Sequence, residues 1–118
     1  MTKPRPQQSR ALIVGGGSIG KRHLRNLLAT GRSAAVVETR EDRRVEIAAK
    51  HPGVKIHPSL DEALAAGPYP TGFVCVPTAY HVPTALALVR RGMHIFMEKP
   101  VSHTPDGVPE LVDALQQR

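Results

Sequence analysis

The sequence has no tryptophan, only two phenylalanines and two tyrosines, and a single cysteine. Without bulky rings, a core must be built from Ala, Val, Leu and Ile, which suit helices packed against a parallel sheet. The lone Cys75 excludes an intrachain disulfide and fits a reducing compartment, so the cytoplasm is the expected location. No apolar run approaches the roughly 18 residues of a membrane span, and no membrane partner is expected. The first ten residues are polar, carry Pro4 and Pro6, and lack the hydrophobic segment of a secretory signal. Residues 1–10 therefore read as a flexible tail. The six histidines show no metal-ligand spacing with cysteine partners, so no metal site is expected.

The formal net charge of +6 first suggests a nucleic-acid partner. Its distribution argues otherwise. Lys3, Arg5 and Arg10 lie in the tail, and the remaining 13 basic residues face 10 acidic ones. No basic stripe is interleaved with aromatics, so nucleic acid is not an expected partner and the charge reads as a solvated, arginine-rich surface.

A chain of 118 residues suffices for one domain, read here as 11–118. Short apolar runs alternate with helical patterns, the signature of a parallel α/β sheet. Strands are expected at 11–14, 34–37, 54–57, 72–76 and 94–97. Helices are expected between and after them. The first places Leu24, Leu27 and Leu28 inward. The second has Val45, Ala48 and Ala49 at helical spacing. Ser59 and Glu62 fit a capping box that starts the third. Val82, Ala85, Leu86 and Val89 mark the fourth, and Val108, Leu111, Val112 and Leu115 the last. Right-handed crossovers make this a doubly wound Rossmann sheet in three α/β/α layers, with strand order 3-2-1-4-5. The fifth strand would then be an open edge, which leaves self-association as a homo-oligomer open.

Gly15-Gly16-Gly17-Ser18-Ile19-Gly20 fits G-x-G-x-x-G, with a strand before it and a helix after it. Gly15 permits the tight turn, Gly17 lets backbone approach a pyrophosphate, and Gly20 lets helix pack on sheet. Ser18 and Ile19 open the helix whose N–H groups would face the phosphates. Lys21 and Arg22 oppose the helix dipole there, so they either meet a bound anion or reach into solvent. Gly15 to Lys21 also fits the start of a phosphate-binding NTPase loop, but Arg22 has no hydroxyl for Mg²⁺. Glu38 lies 18 residues past Gly20, where a carboxylate can accept the ribose hydroxyls of NAD and would repel a 2′-phosphate. Arg40 and Arg43 lie close by, and arginine accommodates that phosphate. NAD is favoured as cofactor, and NADP stays open.

Two further segments end strands. Pro77-Thr78-Ala79-Tyr80-His81 follows the fourth, at the switch point where ligands bind. Glu98-Lys99-Pro100 follows the fifth, where Lys99 could hydrogen-bond a substrate hydroxyl or assist proton transfer. Taken alone, His81 is more often structural, Glu98-Lys99 more often an ordinary surface pair, and Cys75 more often a core thiol than a nucleophile.

Together the glycine loop and the run Lys21-Arg22-His23-Leu24-Arg25-Asn26-Leu27, the Pro77–His81 segment, and Gly92-Met93-His94-Ile95-Phe96-Met97-Glu98-Lys99-Pro100 resemble the Gfo/Idh/MocA oxidoreductases. That resemblance implies an NAD(P)-dependent enzyme acting on sugars, inositols or nucleotide sugars. It implies that Pro77, Thr78 and His81 line the cofactor cleft, that Glu98 and Lys99 lie beside the nicotinamide ribose, and that Lys99 is catalytic. The resemblance implies a second α/β domain holding the substrate pocket, and that domain is expected to lie outside these 118 residues. The expectation is a dinucleotide-binding domain incomplete as an enzyme by itself. A non-catalytic dinucleotide-binding or redox-sensing module is the main alternative, and a P-loop-like NTPase the remote one.

Overall fold

The computed structural model describes residues 10–98 and 104–117. Five strands form one parallel sheet: β1 (Ala11–Val14), β2 (Ala34–Val37), β3 (Lys55–His57), β4 (Thr71–Val74) and β5 (His94–Met97). Their order is β3-β2-β1-β4-β5, as the alternating pattern predicts. The helices are α1 (Ser18–Ala29), α2 (Glu41–Lys50), α3 (Leu60–Ala65), α4 (His81–Val89) and α5 (Val108–Gln116), with a 3₁₀ turn at Thr78–Tyr80 before α4.

The central strands are buried on both faces, which is why Ala11–Val14 and Ala34–Val37 read as unbroken apolar runs. Alternate residues go to opposite layers. Ile13, Ala34 and Val36 pack with Leu24 of α1 and Ile47 of α2. Leu12, Val14, Ala35, Val37 and Val74 pack with Ala63 of α3, with Val82, Ala85, Leu88 and Val89 of α4, and with Leu111 of α5. Three layers result, with β3 and β5 as the sheet's edges.

Several boundaries and faces differ from expectation. β3 begins at Lys55, and β4 runs Thr71–Val74, so Cys75 and Val76 already belong to the turn outward. In α2 the buried residue is Ile47, while Val45, Ala48 and Ala49 are exposed. Such an outer helix buries a narrow stripe, and the alanines on its far side serve helix propensity rather than the core. In α5, Val112 is exposed, while Leu111 is buried and Leu115 packs beside it. Ser59 caps α3 as expected, accepting from the Glu62 backbone N–H at 3.2 Å. Arg10, assigned to the tail, is tied down: it donates to the Ala66 carbonyl at 3.1 Å and its guanidinium lies 4.7 Å from the Tyr69 ring centroid. The rest of the tail and Lys99 lie outside the described residues.

Candidate cofactor site

A cleft of about 730 Å³ opens at the C-terminal ends of β1, β2 and β4. That is where the strand order reverses and where open α/β sheets bind ligands. Its floor is the glycine loop. Gly15 donates its N–H to the Val37 carbonyl at 2.8 Å and has φ 109°, the left-handed region that glycine enters without strain. A side chain on Gly15 would strike the Cys75 carbonyl, and one on Gly20 would strike the Gly15 carbonyl, so both glycines are fixed by backbone packing. Gly17 differs. A Cβ there would meet only the Arg43 guanidinium, 3.6 Å away, so this glycine keeps space open on the cleft side.

Gly17 is also the N-cap of α1, and no side chain caps that helix. No acidic residue occupies its first turn. Its leading N–H groups and the positive end of its dipole are therefore available to an anion.

At the end of β2, the Glu38 side chain is 5% exposed. Its Oε1 accepts the Gly16 N–H at 2.9 Å and its Oε2 the Arg40 N–H at 2.8 Å. Arg43 Nη1 stands 3.5 Å from Oε1. Burial alone would raise this carboxyl's pKa, but the Arg40 and Gly16 N–H groups and the Arg43 charge outweigh it and hold the pKa below the usual range. A carboxylate has about four lone-pair sites, so with Gly16 and Arg43 on Oε1, Oε2 keeps one for a ligand hydroxyl. Arg44 donates to the Glu38 and Thr39 carbonyls at 2.9 and 2.8 Å, and Arg40 pairs with Asp42 at 2.7 Å. Arg43 is the arginine that both touches Glu38 and overhangs the loop.

Of the residues singled out in the sequence, Gly15, Gly17, Ser18, Ile19, Glu38, Arg43 and Pro77 line one cleft. Gly20 lies buried beneath the loop. Thr78 opens the 3₁₀ turn next to Pro77 but is not on the lining. His81 starts α4 facing inward: it is buried, and its Nε2 lies 2.9 Å from the Val76 carbonyl. A carbonyl only accepts, so Nε2 carries the proton in this contact. Glu98 stands apart from the cleft lining, near Arg22 and His23. Lys21 turns to the protein's own carboxylate instead: its Nζ bonds Glu46 of α2 at 2.6 Å. Arg22 Nη2 lies 3.6 Å from Glu98 Oε1.

Leu60, Tyr80 and Thr84 also line the cleft, and sequence reading missed all three. Leu60 and Thr84 arrive from the first turns of α3 and α4, where no motif marks them, and Tyr80 arrives from the 3₁₀ turn of the Pro77–His81 segment, which had been singled out without it. Gly16 was missed as well. A Cβ there would crowd Ile47 Cδ1 at 2.8 Å and Glu38 Oε1 at 3.1 Å, so a larger residue at this position, which the fingerprint leaves free, would push those two side chains aside.

Residues 9–118 match the Gfo/Idh/MocA oxidoreductase family, NAD-binding Rossmann fold. The chain belongs to this family. Among Gfo/Idh/MocA relatives, inositol 2-dehydrogenase of Corynebacterium glutamicum is 28% identical over 102 residues, covering 84% of this chain and 30% of the relative. UDP-N-acetylglucosamine 3-dehydrogenase of Acidithiobacillus ferrooxidans is 27% identical over 106 residues, covering 90% and 33%. The WlbA dehydrogenase of Bordetella pertussis, solved with NADH and UDP-GlcNAcA, superposes with a TM-score of 0.83 at 23% identity, over 94% of this chain and 34% of that one. The chain thus spans about a third of the length of these relatives. It is an NAD-binding Rossmann domain. No helix among the described residues is long and apolar enough to cross a membrane.

Proposed function

We propose that this chain is the cofactor-binding portion of an oxidoreductase that moves hydride between a nicotinamide and a hydroxyl-bearing carbon of a cyclic polyol, sugar or nucleotide sugar. The observation that carries this reading is the uncapped helix α1 opening behind Gly17, directly beside the buried Glu38 carboxylate. The pair suits a dinucleotide: pyrophosphate against the loop, ribose hydroxyls on the carboxylate.

In this reading Gly15, Gly17, Ser18 and Ile19 hold the pyrophosphate, and Glu38 takes the adenosine ribose. Pro77, in the turn after β4, borders the cofactor, and Thr78 opens the 3₁₀ turn beside it. His81 acts indirectly, by holding the Val76 carbonyl and thereby the turn that presents Pro77. Glu98 and Lys99 serve the nicotinamide ribose, with Lys99 reaching substrate. When bound, the nicotinamide supplies the hydride chemistry, while the chain's residues bind and orient it. Arg43, 3.5 Å from Glu38, offsets the repulsion a 2′-phosphate would meet, so NADP is accepted as a weaker second cofactor.

The substrate side is to be sought in the two-thirds of its relatives that this chain does not span, so cofactor binding without turnover is expected of the 118 residues alone. The cytoplasm is its proposed compartment, and the edge strand β5 the route to self-association.

Calorimetric titration with NADH, NADPH and Mg-ATP in parallel tests the reading. Saturable NADH binding that is lost on replacing Gly17 by valine is expected. Binding of Mg-ATP alone would overturn it.

A further inference from the structure

On the α1 side of the sheet, the His23 ring lies between two phenylalanines. Its centroid is 5.1 Å from Phe73 of β4 and 5.2 Å from Phe96 of β5, and the two phenylalanine rings are 5.4 Å apart. This apolar seat fixes the imidazole and leaves its side chain 14% exposed. Nε2 is buried there with no hydrogen-bond partner. A buried polar nitrogen left unsatisfied is costly and uncommon in a folded protein. Its charged neighbour is Glu98 Oε1, 3.7 Å away, inside ion-pair range and just beyond hydrogen-bond length.

Glu98 is the first residue after β5, and it continues the face that Phe96 occupies. The groups facing it are His23 and Arg22 of α1, with Arg22 Nη2 at 3.6 Å, and Cys75 at the end of β4, whose thiol feels the Glu98 charge. Arg22 is a flexible, largely exposed partner. His23 is the rigid one, because ring packing from two strands holds it.

We propose that His23 is a positioning residue for Glu98. Its Nε2–H donates to the Glu98 carboxylate and sets where that carboxylate stands beside the nicotinamide half of the cofactor. A contraction of roughly 1 Å between the two groups makes the bond, and cofactor binding supplies the order that keeps it. This inference rests on the placement of Glu98 under "Proposed function" and extends it. α1 then serves both halves of the dinucleotide: its N-terminus faces the pyrophosphate, and its second turn, through His23, steers the segment after β5.

The test compares NADH with ADP, which lacks the nicotinamide half, on the whole 118-residue chain and its variants. His23→Phe keeps the ring packing against Phe73 and Phe96 but removes the donor, and thermal melting checks that it folds. It is expected to weaken NADH about tenfold while changing ADP less than about twofold. His23→Gln, which returns an N–H near the Nε2 position, is expected to restore most of the loss. Glu98→Gln is expected to weaken NADH alone, and His23→Phe on top of it to add little. In nitrogen NMR, the His23 Nε2 resonance is expected to shift on NADH addition in the wild type and not in Glu98→Gln. If Glu98→Gln leaves NADH binding intact, the placement of Glu98 at the cofactor is wrong, and the inference goes with it. If Glu98→Gln weakens NADH but His23→Phe does not, or if His23→Phe weakens ADP equally, only the role of His23 is overturned.

Discussion

The backbone N–H of Gly16 donates to Glu38 Oε1 at 2.9 Å, joining the glycine loop to the end of β2 across 22 residues of sequence. With Arg40 N–H on Oε2, this carboxylate holds the cofactor cleft in shape before any ligand arrives. Its pKa is lowered from 4.5 in the folded chain. A group whose folded pKa lies below its unfolded one stabilises fully above the unfolded value, and that contribution disappears as pH falls through the folded one. Stability is therefore expected to fall below about pH 4.5, in part through Glu38. Glu38→Gln turns an amide N–H toward a backbone donor and is expected to cost about 1–3 kcal/mol at pH 7 and to flatten the acid limb. Urea unfolding from pH 3 to 7 in high salt checks this, since salt screens the exposed Arg40–Asp42 pair most, the part-buried Lys21–Glu46 pair less and the buried Glu38 least. An unchanged acid limb would show that Glu38 carries none of it.

Two glycines of the same loop are expected to respond oppositely to alanine. At Gly20 the new Cβ collides with the Gly15 carbonyl, so helix and loop must part. The expected loss is about 1–3 kcal/mol of stability, and cofactor affinity falls with it. At Gly17 only the mobile end of Arg43 is near, and φ is −75°, which any residue adopts. Gly17→Ala should fold within about 1 kcal/mol of wild type, the usual span for N-cap changes, yet lose NADH binding. Thermal melts paired with NADH titration separate the cases. Loss of fold at Gly17 with retained binding at Gly20 would reverse the assignment.

Arg43 gives a test of cofactor choice. It is about two-fifths exposed, touches Glu38 and overhangs Gly17. Arg43→Ala is expected to weaken NADPH about tenfold or more and NADH by no more than about threefold, since an arginine–phosphate pair is a charge-assisted bond that NADH does not form. Equal losses for both would place Arg43 on the pyrophosphate instead.

Much of this domain was legible in the chain itself because buried parallel strands are unbroken apolar runs and glycines punctuate them. Strand order followed from connection rules alone. The seven residues found together on the cleft were legible because Gly15 to Ile19 is contiguous, because Glu38 and Pro77 lie just beyond strand ends, and because Arg43 follows Glu38 closely in the first turn of α2. The outer helix α2 was misread because its alanines mimic a core face, although Ile47 alone is buried. Leu60 and Thr84 could not be seen, because only tertiary packing brings α3 and α4 to the loop, and Tyr80 lay in a segment that was read without it. His81 and Lys21 showed their residue types but not their partners. One turns inward to a carbonyl and the other crosses to Glu46.

Cys75 follows β4, lines the cleft and lies near Glu98. Burial, with the Glu98 charge added, pushes its thiol pKa up to about 12, against the smaller opposing effect of Arg22. Thiolate is the reactive form, so at pH 8 alkylation by iodoacetamide is expected to be slower than for an ordinary exposed thiol by on the order of a thousandfold. The rate should keep rising with pH past 9 instead of levelling there, and unfolding in urea should abolish the difference. Glu98→Gln removes the negative neighbour and is expected to speed labelling. NADH is expected to slow it further, because the cofactor would cover the cleft wall that Cys75 helps form. Mass-spectrometric labelling time courses measure all of these on the same protein. Fast labelling of the folded chain at pH 7.5 would mean that Cys75 is a reactive thiol rather than an inert part of the cleft wall.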